Sequence, residues 1–357
     1  MGELSSLKAT VGGAGVFGLS IALELARRGA TVTLAEPALE ADNASSVAAG
    51  MLAPALEAAL DPSMAGRFDL LKAARDCWPG FAQDMADVRL HRDGALFSGD
   101  QAGRIAARLA AAGAAFEMRG ADLFTPEDWR IEPRGALAAM RERFLQLGGR
   151  WSPEAVFEAP LASEVTILAC GYGARHLAPE LAVLAPIRGQ LLRFAEGPGE
   201  GPVLRCDAGY LAPGSSGAVV GATMDAGRVD LDPDPVATHA LLEVAERLRP
   251  GLGATPFRVE VGVRAATPDG WPLAGPSAAP GVWLAAGARR NGWLLAPLVA
   301  ELIADGLAGR DRTEMAALFA SDRFRSTGGE EPSPSGRRPR GCGPWRLPPP
   351  RRRRCGD

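Results

Sequence analysis

"KATVGGAGVFGLSIALELARRGATVTLAE", Lys8 to Glu36, is the stretch on which the fold turns. "KATVGG" reads as a short strand. "GLSIALELARRG" sets Leu19, Ala22, Leu23 and Ala26 at helical spacing, carries basic residues in its last turn and stops at Gly29. "ATVTLAE" alternates as a second strand. Strand, helix and strand in this order imply a parallel sheet. Between the first strand and the helix lies Gly13-Ala14-Gly15-Val16-Phe17-Gly18, a G-x-G-x-x-G turn. Gly13 permits the tight turn, Gly15 lets backbone approach a pyrophosphate, and Gly18 lets helix and strand pack closely. The free N–H groups around Val16 and Phe17, at the positive end of the helix dipole, suit phosphate. Glu36 ends the second strand 18 residues after Gly18, where an acid meets a ribose hydroxyl. No basic residue stands beside it for a 2′-phosphate. A bound dinucleotide is expected. Gly12 is unusual, because a large aliphatic residue would ordinarily finish such a strand.

Two later stretches separate FAD from NAD. "NASSVAAGMLAP", Asn43 to Pro54, is built of small residues, among them Ser45, Ser46, Ala49, Gly50 and Met51. Such a segment lets backbone pack close to a broad planar ligand. "LAAGARRNGWLLAP", Leu284 to Pro297, is a strand that ends at Gly287 and opens a second helix at Asn291, Gly292, Trp293 and Leu294. A helix dipole with Arg290 aimed at a flavin ring would stabilise the reduced anion. Arginine is rarely buried unless paired, so Arg290 is expected to face an anion and Arg289 to lie on the surface. Val156 and Gly171 complete the expected cofactor-binding set. The expected cofactor is noncovalent FAD, since no cysteine stands where a flavin link can be argued.

The chain has 357 residues, enough for two domains or one large α/β domain. At 47% hydrophobic and 23% charged it has the balance of a globular protein. No apolar run is long enough to span a bilayer, and no basic segment followed by an apolar one marks a signal peptide. The expected location is cytoplasmic. The five cysteines form no C-x-x-C pair, and His91, His176 and His239 have no partner at metal-ligand spacing, so no metal is expected. The net charge of −3 hides an asymmetry: nine arginines face three acids over 325–357, leaving 30 basic against 39 acidic side chains in the body. An acidic body argues against nucleic acid as its main partner. The Pro-, Gly- and Arg-rich tail, 325–357, reads as disordered. Further strands are expected at "EVTILACG" and "GVWLAAG", helices at "PRGALAAMRERFLQLGG" and "GWLLAPLVAELIADGLAG", and an antiparallel sheet over about Arg188 to Val263.

Several ordered segments between about residues 9 and 300 now stand together: "GGAGVFGLSIALELARRG", "AAGMLAP" with Glu57 after it, "PIRGQLLRF", "YLAP" before "VVGATM", "VRAATPDGWPLAGP" and "RRNGWLLAP". They resemble the D-amino-acid-oxidase-like FAD-dependent oxidoreductases, most closely the glycine oxidases of thiamin biosynthesis. The resemblance implies an α/β fold: a Rossmann-type FAD-binding domain interrupted by an α+β substrate domain with a mainly antiparallel sheet. On this chain that places FAD binding in 1–85, 130–180 and 262–324 and the substrate in 86–129 and 181–261. It also implies oxidation of a small amino acid to the imine, with a hydride passing to flavin N5 and O2 reoxidising the flavin to give H2O2. Arg264 matches the arginine that binds the substrate carboxylate in a fork, Tyr210 a tyrosine whose hydroxyl donates to the same group, and Arg290 the arginine near flavin and substrate. The chain departs from the family pattern at Gly173, Gly214, Glu260, Ala265, Ala288 and Arg289, mostly around the pocket. Open alternatives are a dehydrogenase of another D-amino acid, N-methyl amino acid or 2-hydroxy acid with a different electron acceptor, and a flavin-binding protein without turnover. Homo-oligomerisation is also open.

Overall fold

The computed structural model describes residues 2–38, 43–156, 163–215, 217–310 and 313–324; the basic tail, 325–357, lies outside the described residues. The strand Lys8–Gly12 runs parallel to Thr31–Ala35 on one side and to Val165–Leu168 on the other. Arg150–Ser152 extends the sheet beyond Thr31–Ala35, and Val282–Ala286 and the antiparallel Leu273–Pro276 extend the other edge. The first strand is therefore central, and the chain winds away from it in both directions. The crevice beyond its carboxyl end is where such sheets bind ligands.

The helix Val16–Arg27 follows directly and buries almost every residue. The helix Gly292–Leu307 packs beside it, and its run of Leu, Val, Ile and Ala is buried on nearly all sides. A helix apolar all round belongs in an interior, which is why this one lies under the sheet. The two N-termini converge: a Cβ on Gly292 would stand 3.5 Å from Val16 Cγ1.

A second, nine-stranded sheet is built mainly from Ala185–Phe194, Val203–Cys206, Gly209–Gly214, Gly217–Gly221 and Phe257–Ala266, all paired antiparallel. Ala95–Phe97 joins it in parallel with Val203–Cys206. The helix Pro235–Leu248, capped by Asp234, covers this sheet. A small sheet of Met51–Leu52, Trp129–Ile131 and Leu90–His91 adds three short strands.

Gly12 has a packing reason. A Cβ there would lie 2.6 Å from Val156, so the aliphatic group that usually ends the strand comes from Val156 instead. No helix among the described residues is long and apolar enough to cross a membrane.

Candidate active site

The glycine turn has the geometry its residues demand. Gly13 takes φ +98°, which only glycine adopts readily. A Cβ on Gly18 would overlap the Gly13 carbonyl oxygen, so helix and turn can approach only without it. The Glu36 carboxylate folds back onto the turn and accepts from the Ala14 N–H at 3.1 Å. Ser45 Oγ accepts from the Val16 N–H at 3.0 Å, and the Ser45 carbonyl accepts from Trp293 Nε1 at 3.0 Å. Trp293 in turn stacks on Trp78 with centroids 5.9 Å apart. The small-residue segment is thus tied to both helix N-termini.

Not every expected residue is offered to a ligand. Phe17 and Leu294 are buried in the core. Ser46 caps a short helix, its hydroxyl accepting from Asn43 N–H and donating to Asn43 O. Gly171 and Gly287 have positive φ just after the strands Val165–Leu168 and Val282–Ala286, where they end the strands beside the turn. Val156 packs on Gly12.

A cavity of about 400 Å³ opens between this layer and the antiparallel sheet. Ala49, Gly50, Met51, Tyr210, Arg264, Arg290, Asn291 and Trp293 all border it. Residues far apart in sequence meet here because of strand register. Tyr210 stands opposite Arg205 on one neighbour and Gly221 on the other, and Gly221 opposite Leu191. Residues directly opposite share a face, so this row makes one wall. A Cβ on Gly221 would sit 2.5 Å from the Tyr210 hydroxyl, and one on Gly189 would overlap the Arg264 guanidinium. Glycines thus make the room in which the Tyr210 and Arg264 side chains lie.

Arg264 makes no ion pair with a carboxylate among the described residues; its Nη1 donates to Thr223 O at 3.3 Å. Burial pushes its guanidinium pKa down, with the positive fields of Arg290 and Arg289 adding to the effect. Burial also pushes the Tyr210 hydroxyl up, against the pull of Arg264 and Arg205. A half-buried cation without a carboxylate partner among the described residues, beside a neutral phenol, is suited to an anion with two oxygen acceptors.

Arg290 does face an anion, and the anion belongs to the protein. Its Nε donates to Glu57 Oε2 at 2.6 Å, and its Nη2 lies 3.1 Å from Asp61 Oδ2. Burial opposes the charge on Arg290, but the two carboxylates hold its pKa above the ordinary value. Arg289 corrects the expectation of a surface residue. It is half-buried, pairs with Asp61, and donates its N–H to Ala265 O at 2.8 Å from a φ of +53°. That conformation is unfavourable for arginine by roughly 1–2 kcal/mol, and the ion pair helps to hold it. Asp61 is itself buried, which pulls its carboxyl up, yet Arg290, Ser63 and Arg289 together keep it below the usual range.

Three further groups were not singled out in the sequence. Arg205 is buried at the cavity wall. Asp128 is 1% exposed and accepts from Ala55 and Leu56 N–H at 2.8 and 3.2 Å, fixing the turn that presents Glu57. Burial pushes its carboxyl up to about 7. Cys206 also borders the cavity. The only sequence signal for Arg205 was its place in an alternating strand five residues before Tyr210.

The site accommodates a flavin dinucleotide. Gly15 brings no side chain of its own to the helix start, where Ser45 Oγ takes the Val16 N–H, and Asn291 begins the second helix with Nδ2 buried and without a hydrogen-bond partner among the described residues. Glu36 stands at the turn, its carboxylate oxygens accepting from the Ala14 and Ala38 N–H groups. A family model described as "FAD dependent oxidoreductase" matches residues 8–306. The chain belongs to this family. The oxidoreductase is 33% identical over 313 residues to the tRNA 5-methylaminomethyl-2-thiouridine biosynthesis bifunctional protein MnmC of Maricaulis maris, covering 83% of this chain and 51% of that protein. It is 30% identical over 341 residues to the bifunctional protein ThiO/ThiG of Nostoc sp., covering 82% and 51%. It spans about half the length of these curated relatives. Glycine oxidase from Geobacillus kaustophilus, a solved structure, superposes with a TM-score of 0.79 at 24% identity, covering 88% of this chain and 98% of that one. The fold is that of the D-amino-acid-oxidase-like enzymes, as the resemblance implied.

Proposed function

We propose that this oxidoreductase oxidises a glycine-like amine to the imine with noncovalently bound FAD and returns the electrons to O2. The observation that carries the proposal is Arg264, half-buried in the cavity wall beside Tyr210 and without a carboxylate of its own among the described residues. In this reading the parallel layer, residues 1–85, 130–180 and 262–324, holds the cofactor, and 86–129 with 181–261 holds the substrate. The glycine turn, Glu36 and the N-terminus of the helix Gly292–Leu307 would hold FAD, and the flavin ring supplies the two-electron acceptor. Arg264 grips the substrate carboxylate in a fork, and the Tyr210 hydroxyl donates to it. Holding the carboxylate at two points orients the Cα–H bond, which is the main demand of such a reaction. The Glu57–Arg290–Asp61 network keeps Arg290 in place, with its positive charge close to where negative charge builds. The substrate amine must be neutral to react, and no side-chain base is assigned.

The experiment is the visible spectrum of the purified protein before and after anaerobic glycine. Bleaching of the flavin bands, with H2O2 released on admitting air, supports the proposal. Arg264→Met should keep FAD and raise KM for glycine about 10- to 100-fold. A variant with wild-type KM removes Arg264 from the site. Acid precipitation should release the flavin into the supernatant; a coloured pellet would point to a covalent link, with Cys206 the thiol to test.

The likeness to the Maricaulis protein favours a second reading, in which the amine is carried on a tRNA uridine. The acidic body opposes it, since nucleic-acid affinity rests on basic surface. Bleaching by undermodified tRNA and not by glycine would select this reading.

A further inference from the structure

The cavity wall carries a second guanidinium that carboxylate recognition by Arg264 leaves unexplained. Arg205 stands directly opposite Tyr210 on one neighbouring strand and Phe97 on the other. The three form one row of the wall, and all border the cavity. Arg205 is only 9% exposed. Its Nη2 is 3.7 Å from Glu57 Oε1, but Glu57 is engaged more tightly by Arg290. Its Nη1 has no hydrogen-bond partner among the described residues. A buried guanidinium paired this loosely is costly, and an anionic oxygen on a ligand in the cavity would compensate its charge.

The local charge balance says what kind of oxygen. Arg205, Arg264, Arg289 and Arg290 gather around two buried carboxylates, Glu57 and Asp61. Asp207 is exposed at the rim of the cavity. Asp128 lies close enough to Arg205 to feel its field, but holds a proton until about neutral pH. One substrate carboxylate on Arg264 still leaves a cation in excess, and Arg205, whose ion pair at 3.7 Å is looser than those of Arg289 and Arg290, is the one least compensated.

The geometry points to Arg205 as a second anion subsite: it takes a carboxylate on the nitrogen substituent of an N-substituted glycine, so that the preferred ligand has two acidic arms. The inference rests on the reading of Arg264 and Tyr210 as the site of the glycyl carboxylate. The distance between the arms is then set by the row from Tyr210 to Arg205. Glycine itself would fill only half of the recognition surface.

Diglycolate and ethoxyacetate separate the subsite from turnover, because each presents a carboxymethyl arm on an ether oxygen and neither carries an amine. Titration calorimetry on the full-length FAD-loaded protein should show diglycolate binding about tenfold or more tighter than ethoxyacetate. Arg205→Met should bind the two alike, and Arg205→Lys, which keeps the charge and loses the fork, should fall between. A wild-type protein without the preference, or an Arg205→Met protein that retains it, overturns the inference. Iminodiacetate and N-ethylglycine then test the reaction: the same preference in kcat/KM supports both readings. A diglycolate preference with a flavin that no amine reduces sustains the subsite and defeats the amine-oxidation reading.

Discussion

The parallel layer and the antiparallel sheet meet at one cavity but build it in opposite ways. Around the glycine turn the parts that the proposed function uses are backbone: the Gly13 turn, the helix start at Gly15, and the second helix start at Asn291. Across the cavity they are side chains, Arg264, Tyr210 and Arg205, delivered by three different strands. A backbone site tolerates almost no added atom, because its atoms cannot turn aside. A side-chain site tolerates substitution in its frame but depends on every charge finding its counterpart.

The sharpest way to break this contrast is at Gly18. A methyl group there overlaps the Gly13 carbonyl, and neither atom belongs to a flexible side chain. Gly18→Ala should cost about 3 kcal/mol or more and lower FAD content, read as flavin absorbance per protein and as thermal midpoint. If Gly18→Ala loads FAD normally, the backbone of the turn is more yielding than its geometry says.

On the other side, Glu57→Gln removes the carboxylate shared by Arg290 and Arg205. Asp61 remains to Arg290, so the expected loss is about 1–3 kcal/mol. Substrate affinity should change more than FAD content, because the two released guanidiniums border the cavity. Equal loss of both would show that the ion network supports the parallel layer too.

The smallest effect is at Asp128. Its carboxyl is raised from 3.8 to about 7, so the folded protein keeps a proton that the unfolded chain releases. Its contribution is full below the unfolded value, falls as pH rises and is lost above about pH 7. Asn keeps one acceptor for the Ala55 and Leu56 N–H groups and cannot ionise. The stability of Asp128→Asn relative to wild type, followed by the thermal midpoint, should therefore improve between about pH 5 and about pH 8, by about 2–3 kcal/mol at most. A difference that does not move with pH would place the ionised carboxylate in the fold at both values.

The same contrast explains what could be read in advance. Gly13, Gly15, Gly18 and Glu36 form a local pattern, and local geometry follows from spacing along one chain segment. Gly12 was legible as an oddity, but its answer, Val156, comes from a segment 144 residues away. Arg264 and Tyr210 were found by resemblance to a family and would have been ordinary strand residues without it. Arg205 had no such flag, because nothing in "VLRCDAGY" says which alternate residues face a cavity.

Arg289 and Arg290 mark the boundary between the two kinds of knowledge. The sequence alone determined that so much positive charge before a buried helix needs compensation, because the desolvation of a guanidinium does not depend on the fold. It also determined the parallel layer, since a strand, a glycine turn and an amphipathic helix specify one another over 29 residues. Only the tertiary structure decided that Glu57 and Asp61 supply the compensation and that both arginines share it. It alone decided that Arg264 and Arg205 remain without full partners among the described residues. Ion pairing is a contact over a few ångströms between residues more than two hundred positions apart, and strand register sets which of them meet.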